Sequence, residues 1–284
     1  MNASRELIAS YFTLAGHAVP FEEAQKEVSP HTLADRANAA AAAGFAGLGI
    51  SYPDLASLLA TMSFGDIRRI FDEHGLTHLE LECIVDWHAD GERLDASNTV
   101  RALLMGCAAE IGACHIKVAG DQFGGAFRHE QVVERFAGLC ADAAVAGTRI
   151  VIEPMPWSNV RDILGASQLV AEAGAANAGV LMDIWHVARA GTDFSAIADM
   201  APETIGYIEL CDALLESEDD LKLDTINNRR LCGEGQLDVA AFVAAVERAG
   251  YSGLWGVEVI SHEQRRRPVR IAASLCADSA KAFL

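Results

Sequence analysis

Short apolar runs rich in β-prone residues alternate with longer Ala- and Leu-rich stretches of helical period along the whole chain. The strand-like runs fall at residues 7–14, 47–51, 77–84, 115–119, 149–153, 179–184, 206–210 and 254–260. Between them, helical patterns cover 32–43, 55–73, 97–111, 129–146, 165–173, 194–198 and 239–249, and 268–283 closes the sequence. This alternation is the signature of βαβ units and a parallel sheet. Eight repeats predict a single-domain (β/α)8 TIM barrel over residues 1–284. Gly44, Gly75, Gly147 and Gly250 each close a helix just before the next strand, the place where a left-handed C-cap suits glycine. The longer, polar connections (86–94, 120–128, 154–164 and 211–237), the first and third carrying Trp87 and Trp157, follow strands instead. In a barrel that asymmetry marks the active face. An open doubly wound sheet would want a Gly-rich phosphate loop after the first strand, and Leu14-Ala15-Gly16-His17 is not one.

Charge and composition narrow the function. Forty acidic residues against 22 basic ones give a net charge of -18, which opposes a phosphodiester backbone and argues against a nucleic-acid partner. No apolar run reaches the roughly 20 residues of a membrane span, and residues 1–6 lack a signal-peptide layout, so a soluble, cytoplasmic protein is expected. The seven cysteines are scattered without a C-x-x-C pair, so they are expected to be apolar fillers and not a disulfide or zinc framework. Whether the chain forms a homo-oligomer is left open.

Four acids stand at or near strand ends: Glu153 in VIEPMPW, Asp183 in VLMDIWH, Glu209 in YIELCDA and Glu258 in WGVEVIS. Any one alone would ordinarily cap a helix or pair with a cation. On the fifth to eighth strands of a barrel they converge on one side of the mouth, where they need a counter-charge. A divalent cation supplies it, and oxygen-only ligands favour Mn2+ or Mg2+ over zinc. A one-residue shift of pleat would turn Glu209 outward and give its role to Asp212, which is otherwise a candidate anchor for the following loop. Lys117, a cation inside an apolar strand, is expected to point into the mouth and is a candidate substrate contact. His186, Arg230 in a glycine-flanked loop, and Trp157 are candidate substrate contacts, with Trp87, Trp185 and Phe123 as further loop aromatics. Arg265 to Arg267 read as a solvated charge cluster.

These motifs resemble the xylose isomerase-like barrel superfamily, the sugar phosphate isomerase/epimerase family. The matching pieces are Ile152-Glu153-Pro154, Met182-Asp183-Ile-Trp-His186, Ile208-Glu209-Leu-Cys-Asp212, Arg230-Leu-Cys-Gly-Glu-Gly235 and Val257-Glu258-Val. The resemblance implies one divalent metal held by Glu153, Asp183, Glu209 and Glu258, although histidine or glutamine is usual where Glu209 stands. It also implies that Glu153 and Glu258 exchange a proton with a carbon beside a carbonyl, while His186 and Arg230 touch a small, sugar-like substrate. The implied activity is that of a metal-dependent isomerase or epimerase acting through an enediolate, or of a dehydratase of a keto-inositol or dehydroshikimate-like compound. Two readings of other classes compete. An apurinic endonuclease would need more histidine ligands and a basic groove. A metal-free binding barrel would share only the fold.

Overall fold

The computed structural model describes residues 5–21, 24–123 and 127–284. Eight parallel strands, β1 (Leu7–Ala9), β2 (Gly47–Ser51), β3 (His78–Ile84), β4 (His115–Ala119), β5 (Ile150–Glu153), β6 (Ala178–Asp183), β7 (Ile205–Leu210) and β8 (Trp255–Val257), close in chain order. Closure comes from β1, which pairs with both β2 and β8. The fold is a TIM barrel, as the alternation predicts, and among the described residues no helix is long and apolar enough to cross a membrane.

β8 stops at Val257, short of the expected residue 260, and a helix, Leu221–Asn227, lies within the expected connection 211–237. Three further elements differ from the expectation for local reasons. Residues 10–14 leave the sheet: Tyr11–Leu14 is a helical turn, with the Tyr11 amide donating to Glu82 Oε1 at 3.0 Å. Tyr11 and Phe12 then fill a separate apolar cluster with Ile226 and Ile260. The helical pattern at 55–73 is two helices, Tyr52–Leu59 and Phe64–Glu73, because Ser63 and Asp66 form a capping box that starts the second one. The helix after β3 begins at Gly91, ahead of the expected residue 97.

Side-chain alternation along the strands separates two regions. Leu79, Leu81, Ile116, Val118, Ile150, Ile152, Val180, Met182, Ile208 and Leu210 point outward into one annular core beneath the helices. The inward residues are of another kind. Ile8, Val151, Leu181 and Tyr207 form a small apolar plug, while Glu80, Glu82, His115, Lys117, Glu153, Asp183 and Glu209 are all buried polar groups. Glycines make room for the bulkier ones. Gly256 lies opposite Glu209 in the β7–β8 register, and a Cβ there would sit 2.6 Å from Tyr207 Oη and 2.9 Å from Glu209 Cγ.

That crowding predicts an asymmetric response to alanine. Gly256→Ala should lower unfolding free energy by about 1–3 kcal/mol through overpacking. Gly106→Ala, inside the helix Gly91–Ile111 with nothing within 4 Å of the added carbon, should raise it by about 0.5–1 kcal/mol. Urea unfolding of the two variants checks both signs.

Candidate active site

The ends of β5 to β8 deliver the four acids to one place. Glu153 ends β5 and Asp183 ends β6, Glu209 sits one residue before the end of β7, and Glu258 follows β8 with its amide still donating to Leu210 O at 3.0 Å. One carboxylate oxygen from each lies within 4.8 Å of the others, and all four residues are buried. Glu209 faces inward together with Tyr207, so its alternative, Asp212, has another task. The Asp212 carboxylate accepts the amides of Gly233 and Gly235 at 3.0 Å, Leu237 at 2.9 Å and Ala213 at 2.8 Å. It therefore anchors the loop after β7.

The group fits a divalent ion on the structure's own terms. Glu209 Oε2 is buried without a hydrogen-bond partner, an arrangement that needs a compensating charge or donor. The donor set is all oxygen, which suits a hard cation. Burial, reinforced by the neighbouring Glu258, pushes the carboxyls of both Glu153 and Glu209 well above the usual range. Burial likewise raises Asp183 against the opposing pull of Arg229.

Two buried cations frame this group. Lys117, 1% exposed, bonds Glu209 Oε1 and lies 2.9 Å from Glu80 Oε1, 3.3 Å from Glu82 Oε2 and 3.5 Å from Glu258 Oε1. It points inward as expected, but its ammonium is enclosed by carboxylates. Arg229 pairs with Asp183 Oδ2 and lies 3.0 Å from Glu258 Oε2, while its Nε and Nη2 donate to Thr225 Oγ1 at 3.1 and 2.8 Å. The guanidinium facing the acids is therefore that of Arg229. Arg230 is exposed, and its backbone forms a two-residue bridge with Asp212. Both arginines line a cavity of about 470 Å³ between the loops after β7 and β8.

His186 belongs to the short helix Ile184–Arg189, which Asp183 caps by accepting from Trp185 N at 2.7 Å. Its Nε2 lies 3.4 Å from Glu153 Oε1 and 3.3 Å from Arg229 Nη2, and burial holds the imidazole well below its usual pKa, hence neutral. Trp157 stands beside it, ring centroids 5.5 Å apart, and donates from Nε1 to Gln122 Oε1 at 2.7 Å. Trp87 is buried under its loop with Nε1 donating to Ala119 O, whereas Phe123 is 72% exposed. Arg265 is buried, bonding Ile226 O and Asn227 Oδ1, and so departs from the solvated cluster expected of it.

Glu80, Glu82 and Arg229 escaped the motif reading. The first two carried a signal in the strict alternation of Leu79, Glu80, Leu81 and Glu82, which turns both acids inward. A further acid–histidine group, Asp86, His88 and Asp121, lies after β3 and β4, and there Arg93 Nη2 already bonds both aspartates.

A barrel with this ring of strand-end acids defines a class. A family model described as the xylose isomerase-like TIM barrel matches residues 37–278, and the chain belongs to that family. The 3-dehydroshikimate dehydratase of Pseudomonas aeruginosa is 30% identical over 248 residues, covering 85% of this chain and 38% of that protein. The chain thus spans about two fifths of the length of this curated relative. Among solved structures, the IolI protein with a bound zinc atom superposes with a TM-score of 0.84 at 17% identity, covering 98% of this chain and 97% of that one. A D-allulose 3-epimerase from Methylomonas sp., in complex with D-allulose, gives 0.74 at 16%, with 99% and 98% covered. These structural likenesses carry the fold.

The two adjacent arginines should separate cleanly on substitution. Arg229→Ala strips the partner from Asp183 and Glu258 and should destabilise the protein by about 3–5 kcal/mol, the usual effect of opening a buried ion pair. Arg230→Ala should stay within about 0.5 kcal/mol of wild type, as exposed positions do. Thermal unfolding of metal-free protein reads both.

Proposed function

We propose that this protein is a divalent-metal-dependent enzyme that removes the proton beside the carbonyl of a small polyhydroxylated keto compound and expels a β-hydroxyl as water. The substrate class is a cyclic hydroxyketone of the dehydroshikimate type. The observation that carries this reading is the convergence of Glu153, Asp183, Glu209 and Glu258 within 4.8 Å, with Glu209 Oε2 unpartnered.

These four residues would hold manganese or magnesium. A bound ion supplies Lewis-acid stabilisation of the negative charge that develops on the carbonyl oxygen when the neighbouring proton leaves. Glu153 and Glu258 approach from different strands. Glu153 faces the neutral imidazole of His186, and Glu258 lies between Arg229 and Lys117. One takes the proton from carbon and the other returns a proton to the departing hydroxyl, so that a C–H and a C–O bond break, a C=C bond forms and water leaves. Arg229 and His186 orient the carboxylates, and Trp157 offers an aromatic wall to the substrate ring. Returning the proton to carbon would give an isomerase or epimerase, the reading that the motif resemblance favours. Dehydration is preferred because the curated relative at 30% identity is a dehydratase.

Manganese-loaded protein incubated with 3-dehydroshikimate in deuterated water should release the aromatic dehydration product, followed by ultraviolet absorbance and proton NMR. Glu153→Gln and Glu258→Gln keep an oxygen for the metal and remove the base, so each should slow turnover by at least about a hundredfold. Deuterium entering a ketose beside its carbonyl, with no elimination, would favour the epimerase reading. No turnover or exchange with either substrate class would overturn the enolising chemistry.

A further inference from the structure

The acid on β7 poses a physical problem. Three carboxylates already face the shared position, and a fourth adds charge where burial makes charge expensive. The structure places Lys117 on β4 across the barrel from Glu209, with the ammonium bonded to Glu209 Oε1 and Ser10 Oγ donating to the same oxygen at 2.5 Å. Only Oε2 is left without a partner. Gly256, opposite Glu209 in the register, leaves the space that its side chain occupies. Lys117 itself is enclosed, 2.9 Å from Glu80 and 3.3 Å from Glu82, both on β3, with Tyr207 below, its ring centroid 6.0 Å from the ammonium. Glu80 is in turn 3.2 Å from His115 Nε2. The ammonium is buried, and four carboxylates lie within 3.5 Å of it.

We propose that Lys117 is a positioning residue for the metal centre: it neutralises the fourth carboxylate and ties down Glu209 Oε1, so that Glu209 presents a single oxygen and the pair together acts as one neutral ligand. The proposal rests on the metal reading given above. Lys117 and Glu209 form a charge-compensated unit on two strands that are not neighbours in the sheet, and a neutral pair at the same two positions presents the same net charge to the ion. Glu209→Gln leaves the Lys117 ammonium beside Glu80, Glu82 and Glu258 but removes the one carboxylate that it shares with the metal position, so the ion meets one negative charge fewer. Lys117→Gln leaves an uncompensated carboxylate in a buried site, while keeping a side chain that can donate to Glu80 or Glu82.

The test is a double-mutant cycle read by manganese titration calorimetry and by thermal unfolding with and without manganese, and it needs no substrate. Glu209→Gln alone should weaken manganese binding at least about tenfold, the lower end of the usual effect of disturbing a ligand's supporting charge. Lys117→Gln alone should lower the melting temperature of the metal-free protein and enlarge the rise that manganese produces. The double variant should recover manganese binding relative to Glu209→Gln, whereas its metal-free melting temperature stays low because Glu80 and Glu82 have also lost their ammonium. If instead the effects of the two substitutions add to within about twofold, the residues act independently and the proposal is overturned. Should variants at position 117 fail to fold, Glu209→Gln still decides: manganese binding as tight as wild type overturns the pairing. Failure of wild-type protein to bind manganese is a separate result, which removes the metal reading and this inference with it.

Discussion

Six carboxylates share the inside of this barrel with two cations, and the interior is not water. Glu80, Glu82, Glu153, Asp183, Glu209 and Glu258 are all buried, and so are Lys117 and Arg229. In a low-dielectric cavity the repulsion among such acids far exceeds anything a surface cluster experiences. The arrangement persists only if each acid finds a cation, a proton or a donor. Lys117 serves the floor of the site and Arg229 its wall. Burial raises Glu82, Glu153 and Glu209 toward the protonated form, whereas Lys117 and His115 outweigh burial at Glu80 and draw it the other way. A divalent ion would settle the remaining charge, which is why the metal reading follows from electrostatics as much as from kinship.

The parts that hold these residues are local and identifiable. Asp183 is both an acid of the site and the N-cap of the short helix that delivers His186, so one side chain fixes two others. Asp212 gathers four amides of the loop after β7 and thereby sets which arginine turns inward. The backbone bridge between Asp212 and Arg230 leaves Arg229 facing Asp183 and Glu258. Such preorganisation is what a site needs if its charges are to act on a substrate without first rearranging.

Much of this was legible in the chain because a parallel barrel obeys simple rules. An acid at the end of an apolar run has few places to go, so Glu153, Asp183, Glu209 and Glu258 could be read as a group before their distances were known. Lys117 stood out as a cation in an otherwise apolar strand. The arginine could not be chosen the same way, because Arg229 and Arg230 are adjacent in an irregular loop with no period to separate them. Glu80 and Glu82 were hidden by their own regularity, since a strand sought as an apolar run draws attention away from the alternate positions that face the cavity. The early end of β1 depended on Tyr11 and Phe12 packing against Ile226 and Ile260, which are more than 200 residues away in sequence.

The separation of the annular apolar core from the polar interior has a consequence for how such a protein can change over generations. The residues that keep the sheet and helices together point away from the cavity, and those that set charge and chemistry point into it. Substitution on the inner face, given a matching change across the cavity, leaves the outer packing intact. Heritable variation in reactivity is thus nearly decoupled from heritable variation in architecture, and paired exchanges between facing strands are the step size by which this interior can explore new substrates.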